Sequence, residues 1–160
     1  GGAGLSFKNP LEDILKYSPT FKISDSFIIP SEADFEDQSR RAAERFFKSF
    51  DNFRFPCRLS ECDFPDVIYE VCFETQPDSE TAEKVLSIIE RWAYNYNRRN
   101  KDNDRNIHFV QLIEESEEIQ PSGNSVLVHV DFGNCDVLLI RNVIQQLNKS
   151  DLPIKGVIIR

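Results

Sequence analysis

The chain contains two histidines, His108 and His129, and each lies in a strand-like run of apolar residues. A histidine can act as a general base when a carboxylate within hydrogen-bond reach orients its ring. Asp131 follows His129 by two residues, and side chains at that spacing share one face of a β-strand. The pair could form the dyad of a small hydrolase, although a strand histidine beside an aspartate is more often a structural pair. The hydrolase is therefore the less favoured alternative.

Other signs of catalytic or metal chemistry are sparse. Cys57 and Cys62 could begin a zinc site, but the second pair of ligands would have to come from distant parts of the chain. The acidic run 114–118 lacks the alternating ligand spacing and the glycine of a calcium loop. No glycine-rich phosphate-binding motif and no serine in a nucleophile elbow is present. We therefore expect a non-enzymatic domain without catalytic residues, metal or cofactor.

The composition points to a basic partner. The 160 residues include 27 acidic and 19 basic side chains, and the net charge is -8. This balance argues against nucleic acid or an anionic membrane as the direct partner, since both attract basic surfaces, and favours a basic protein or peptide. No apolar run approaches the length of about 20 residues that a membrane helix requires. We expect a cytoplasmic protein, and because the chain starts at Gly1 and contains no Met, we expect a fragment or an excised domain.

The clearest predicted element is a strand over 124–132. Val126, Val128 and Val130 alternate with bulky residues, which is typical of a largely buried strand. The pairs Gly123-Asn124 and Gly133-Asn134 flank it, and both residue types tolerate the positive φ angles of tight turns. The chain is expected to turn sharply on both sides of this strand.

Hydrophobic periodicity predicts the remaining elements. Period-two alternation indicates strands, the first of them an edge strand because Pro56 cannot donate to a central ladder. Spacings of three and four indicate helices. The predicted strands cover 53–59, 67–74, 107–113 and 156–159, and the predicted helices cover 32–51, 79–98 and 136–147. We interpret 5–60 as an N-terminal extension with an amphipathic helix, and 61–160 as an α+β core domain.

Two folds are compatible with this order of elements. From 67 to 159 the order is β-α-β-β-α-β, which is typical of a ferredoxin-like sandwich with both helices on one face of a four-stranded sheet. The N-terminal helical extension would precede this sandwich. The alternative depends on whether 136–147 is a helix, as periodicity predicts, or a strand that closes a small barrel.

That alternative comes from a resemblance. Residues 130–138, Val-Asp-Phe-Gly-Asn-Cys-Asp-Val-Leu, resemble the V-D-Y-G-N-x-E-V signature of Tudor domains, and 152–156 are similar to the L-P-x-Q-A segment of the extended Tudor form. The resemblance covers about a third of the chain and implies an SH3-like barrel plus a helix, with 79–98 as the linker helix.

The Tudor resemblance also implies a ligand. Tudor domains hold methylated arginine in an aromatic cage by cation-π contact. The cage would include Phe132 and Asn134, with His129 and His108 at the usual aromatic positions and Asp131 completing the motif. These five residues are the expected ligand-binding site.

We therefore predict a non-catalytic protein-protein interaction module. Its sharpest form is Tudor-like recognition of an arginine-rich segment, including a methylated one. The alternative is an acidic inhibitor of the immunity-protein type, which would block the cleft of a basic enzyme by charge complementarity.

Overall fold

The computed structural model describes residues 22–23, 52–60, 62–114 and 116–160. In these residues the chain forms seven strands, which hydrogen bond into one mixed sheet, and two helices. The strands are β1 (Lys22–Ile23), β2 (Cys57–Leu59), β3 (Cys62–Asp63), β4 (Asp66–Phe73), β5 (Phe109–Ile113), β6 (Ser125–Asp131) and β7 (Ile154–Ile159). The helices are α1 (Ser79–Arg99) and α2 (Leu139–Lys149).

Strand β4 is the centre of the sheet. It pairs antiparallel with β6 on one side and with β7 on the other. Strand β5 continues the sheet beyond β6, and β2 runs parallel to β7 at the other end. Strand β3 forms a hairpin with the start of β4, and β1 pairs with β3. The described strands do not close into a barrel, so the α+β class is confirmed and the SH3-like barrel alternative is wrong.

Helices α1 and α2 contact each other and pack on one face of the sheet, which we call the inner face. Val67, Tyr69 and Val71 of β4 point to this face and are fully buried, as their alternation predicts. The Tyr69 hydroxyl donates a 2.9 Å hydrogen bond to the backbone carbonyl of Ile140 in α2. The core therefore satisfies the one polar atom of this ring, and the same bond ties α2 to the central strand.

Helix α1 begins and ends almost where the sequence predicts. The Asp78 side chain accepts a 2.8 Å hydrogen bond from the amide of Thr81, which satisfies one of the free donors of the first turn. Arg98 and Arg99 lie in the last turn, where cations interact favourably with the helix dipole. These signals define the two ends of α1, which connects β4 to β5 and packs on the inner face.

Helix α2 confirms the periodicity-based prediction for 136–147, although it begins three residues later. The Asp136 carboxylate accepts a 2.8 Å hydrogen bond from the amide of Leu138 and so makes a turn ahead of the helix. Ile140, Ile144 and Leu147 form the predicted buried stripe. Neither described helix is long and apolar enough to cross a membrane.

The predicted domain boundary at residue 60 falls inside the sheet. Strand β2 pairs with β7, and β1 pairs with β3, so two strands of the predicted extension hydrogen bond to strands of the predicted core domain. Strand β2 covers only the end of the predicted strand 53–59, and it pairs with β7 alone among the described strands, as expected of an edge strand after Pro56. The helix predicted at 32–51 lies outside the described residues.

Candidate functional site

The sheet face opposite the helices, which we call the outer face, carries the polar side chains of the central strands. The strand register places Asp66 of β4 opposite Asp131 of β6, and Asp131 opposite Phe109 of β5. Because paired residues of neighbouring strands point to the same face, these three side chains form one row across the sheet. The next row joins Ile68, His129 and Gln111.

One end of the outer face is covered by the loop that joins β5 to β6. Glu70 points to this face but is only 1% exposed. Its Oε2 atom accepts hydrogen bonds from the Ser122 amide at 2.5 Å, the Ser122 hydroxyl at 2.6 Å and the Ser125 hydroxyl at 3.1 Å. Arg160 donates to Oε1 of Glu70 at 2.7 Å and to the carbonyl of Gln120 at 2.8 Å. These residues fasten the loop to the sheet, and we call this region the covered end.

The pKa of Glu70 reflects these contacts. Burial alone would raise the pKa of a carboxyl group, because a low-dielectric environment disfavours the charge. The hydrogen bonds from Ser122 and Ser125 and the charge of Arg160 outweigh burial, so the pKa of Glu70 is lowered. Glu70 is therefore ionised at neutral pH and serves as a structural anchor.

At the other end of the outer face three side chains, Asp66, His108 and Phe109, are exposed to solvent, and His129 and Asp131 are half-buried between them. His129 Nε2 lies 3.1 Å from an Asp66 oxygen, and His108 Nδ1 lies 3.5 Å from an Asp131 oxygen. Phe109 packs edge-on against His129 with ring centroids 4.9 Å apart, and 42% of Phe109 is exposed. We call these five residues the open end. Two carboxylates, two imidazoles and an exposed aromatic ring therefore meet on one surface.

The structure does not form the dyad of the hydrolase alternative. His129 and Asp131 share a face, as predicted, but His129 pairs with Asp66 on the neighbouring strand, and Asp131 pairs with His108. Asp66 and His108 are the more exposed members of their pairs. Each imidazole therefore pairs with a carboxylate of another segment, and each pair has one exposed member.

Phe132 lies in the core, which corrects its predicted role as a ligand contact. It is fully buried, its ring stacks on Phe64 at 5.7 Å, and Trp92 meets it edge-on at 6.4 Å. Because it follows Asp131 directly, it points to the inner face. In this position Phe132 cannot form the wall of a cage for a ligand.

The turn after β6 sets the position of His108. Gly133 has a positive φ of 54°, and its amide donates a 2.9 Å hydrogen bond to Asp131. A Cβ atom on Gly133 would lie only 2.5 Å from Nε2 of His108 and 2.9 Å from the backbone oxygen of Asn106. Asn134 is exposed in the same turn. The structure thus brings His108, His129 and Asp131 together, places Asn134 at the adjacent turn, and separates Phe132 from them.

Sequence reasoning missed Asp66, Phe109 and Glu70. Asp66 directly precedes the predicted strand 67–74 and Phe109 lies within the predicted strand 107–113, but only the register between β4, β6 and β5 shows that they adjoin Asp131. Glu70 lies on the polar side of its strand, where alternation predicts exposure. No local pattern shows that a loop some fifty residues later in the chain covers it.

The cysteines do not form part of a metal-binding cluster within the described residues. No group of three or more His, Cys, Asp or Glu side chains in this part of the chain could hold a metal ion. Burial, with help from the carboxylates of Asp63 and Asp66, raises the pKa of the Cys62 thiol to about 12. Zinc binds the thiolate form, so this environment disfavours the zinc site that Cys57 and Cys62 suggested.

Comparison with family models, with curated proteins and with solved structures finds no match to this chain. A function therefore has to be argued from the open end and its surroundings.

Proposed function

We propose that the chain is a non-catalytic protein-binding domain with a ferredoxin-like architecture, and that its open end binds an arginine side chain of a basic partner segment. The observation that carries this proposal is the row formed by Asp66, Asp131 and Phe109 on the outer face. Two carboxylates and one aromatic ring are the groups that a guanidinium ion prefers.

The order of the elements supports the architecture. The four longest strands lie in the order β7-β4-β6-β5, and every neighbouring pair among them is antiparallel. Helix α1 connects β4 to β5, and α2 connects β6 to β7. This β-α-β-β-α-β connectivity is that of a ferredoxin-like sandwich, with β2 and the paired strands β1 and β3 as additions at one side of the sheet.

The chemistry of the open end supports arginine as the ligand. Neighbouring strands lie about 4.8 Å apart, so a guanidinium with its fork of N–H donors can reach both Asp66 and Asp131. Each carboxylate offers about four acceptor sites, and the contacts with His129 and His108, together with the bond from the Gly133 amide to Asp131, occupy only part of them. The exposed ring of Phe109 adds a surface for cation-π contact. The net charge of -8 would also steer a basic segment toward the domain.

This site favours unmethylated over methylated arginine. Methylation keeps the charge of arginine but removes N–H donors, which this site would use in bonds to Asp66 and Asp131. A Tudor-type cage would show the opposite preference, because it depends on aromatic faces. The Tudor resemblance stays a prediction, and Phe109 takes the place that it gave to Phe132.

The proposal can be tested by calorimetric titration with an end-blocked peptide of alternating arginine and glycine. Changing Asp66→Asn and Asp131→Asn together removes both charges while keeping the shapes, and should weaken binding by at least about tenfold, equivalent to about 1.4 kcal/mol. Phe109→Ala should weaken it by about fivefold through loss of the cation-π contact. Binding that is unchanged in the double variant would refute the proposal.

A matched control separates the site from general charge attraction. Glu83→Gln and Glu90→Gln together cause the same change in net charge on exposed positions of α1. This variant should bind within about twofold of the original chain. Equal weakening in both double variants would instead support the acidic-inhibitor alternative. Tighter binding of the same peptide with dimethylated arginines would support a Tudor-type cage.

A further inference from the structure

A second surface with the opposite charge lies between the two helices. A groove of about 500 Å³ runs along α1 and α2, and Arg91, Arg99 and Lys149 line it. No aspartate or glutamate belongs to its described walls, although acidic residues outnumber basic ones by 27 to 19 in the chain. The groove is therefore a local basic patch on an acidic protein.

The three cations of the groove are not used in described ion pairs. Some described cations outside the groove do form ion pairs, as Lys84 does with Glu80 and Lys155 with Glu74. No carboxylate in the described part of the chain lies within ion-pair distance of the cations in the groove. Their charge is left to interact with something outside these residues.

Helix-dipole effects explain only part of this arrangement. Arg99 and Lys149 lie in the last turns of their helices, where cations are favourable. Arg98 could serve the same purpose for α1 but does not line the groove, and Arg91 lies two turns before the end of α1, beyond the reach of the dipole effect. The helix dipole therefore does not account for Arg91, which adds a cation to the groove.

The remaining walls suit a polypeptide backbone. Four carboxamides line the groove: Asn95, Asn142, Gln145 and Gln146. Each carboxamide both donates and accepts hydrogen bonds, as a peptide group does. Trp92 and Ile88 are half-buried and give the groove an apolar floor, and Trp92 is held from below by its contact with Phe132.

We propose that this groove binds a short acidic peptide segment of a partner protein. The three cations pair with its carboxylates, and the carboxamides hydrogen bond to its backbone. Arg91 and Arg99 are about 12 Å apart along α1, a distance that an extended peptide spans in about four residues. The best segments therefore carry acidic side chains about four positions apart.

A peptide fits better than a nucleic acid. A nucleic-acid strand carries a phosphate at every nucleotide and would extend past the groove on a protein whose net charge is -8. A short acidic peptide can keep its charges within the groove. This site is independent of the open end, since it lies on the helices and prefers the opposite charge.

The test uses fluorescein-labelled, end-blocked hexaglutamate and fluorescence anisotropy at low salt. Arg91→Ala combined with Lys149→Ala should weaken binding by at least about tenfold. Arg98→Ala combined with Lys84→Ala removes the same charge from exposed positions outside the groove and should change the affinity by less than about twofold. The indole N–H resonance of Trp92 should shift on titration.

Three results would overturn the proposal. The first is a failure of hexaglutamate to saturate the protein. The second is an equal loss of affinity in the control variant and the groove variant. The third is tighter binding of an oligothymidine of equal charge, which would identify a nucleic-acid site. Affinity for the arginine-glycine peptide should be the same in the groove variant and the original chain. Failure of this proposal is therefore distinguishable from failure of the open-end proposal.

Discussion

The two ends of the outer face carry the same kind of side chain in opposite settings. Glu70 and Asp66 lie four residues apart on β4 and point to the same side of the sheet. Glu70 is 1% exposed and accepts four hydrogen bonds, whereas the Asp66 side chain is 61% exposed and contacts one imidazole. Position on a strand face therefore does not decide whether a carboxylate is structural or accessible. The long loop between β5 and β6 decides it, because it covers only one end.

The energetic difference follows from burial. Removing one group from a buried, hydrogen-bonded charge pair leaves its partner groups without hydrogen bonds and shielded from water, which lowers the free energy of unfolding. When an exposed pair is broken, water replaces the lost contact and the free energy of unfolding changes little. The covered end should therefore determine stability, and the open end should contribute little to stability and remain free for a partner.

The largest effect is expected for Glu70→Ala. It leaves Arg160, Ser122 and Ser125 without their acceptor and should lower the free energy of unfolding by about 3–5 kcal/mol. Asp66→Ala is the matched control on the same strand face and should cost less than about 1 kcal/mol. Urea denaturation followed by circular dichroism measures both. Similar losses in the two variants would remove the distinction between the two ends.

A smaller effect, with a characteristic pH dependence, is expected for Glu70→Gln. At neutral pH the amide keeps the shape but loses the charge, and should cost about 1–3 kcal/mol. Because the folded-state pKa of Glu70 is lowered, the unfolded chain binds more protons in acid. The stabilisation by Glu70 is fully present above its usual pKa of 4.5 and is lost as the pH falls through the folded-state value. The difference in unfolding free energy between the original chain and Glu70→Gln should therefore shrink in acid. A difference that stays constant between about pH 7 and about pH 3 would contradict this account.

The smallest of these effects is expected for Ser122→Ala. The change removes one hydroxyl donor to Glu70 but keeps the backbone amide bond, so it should cost about 1 kcal/mol. Amide hydrogen exchange in 116–122 should accelerate, because the loop opens more often. Exchange in β5 and β6 at the open end should not change. Acceleration across both ends would mean that the loop does not act locally.

The succession of elements could be predicted from the sequence. Hydrophobic periodicity predicts helix α1, the helical nature of α2 and the buried face of β4, because the spacing of apolar residues within a segment reflects which of its faces is buried. The register between strands cannot be predicted from the sequence of one segment, because it depends on pairing between distant segments. The contribution of Asp66 and Phe109 to the site of His129 and Asp131 was therefore out of reach.

The case of Phe132 is different, because the sequence did contain the relevant signal. Phe132 continues the alternation of Val126, Val128 and Val130, all of which are buried. That pattern places Phe132 on the inner face and Asp131 on the outer face. The resemblance to a Tudor signature suggested exposure instead. At this position strand periodicity was the better guide.

The close approach of Gly133 to His108 constrains how related sequences could vary. Any side chain at position 133 would collide with the imidazole of His108 and with the main chain at Asn106, and it would also have to accept a left-handed backbone. Substitutions at the two positions are therefore coupled. In a set of homologues we expect residues other than glycine at 133 only together with a small side chain at 108 and an altered 104–107 segment, so this pair would give a covariation signal between the two sides of the β5-β6 hairpin.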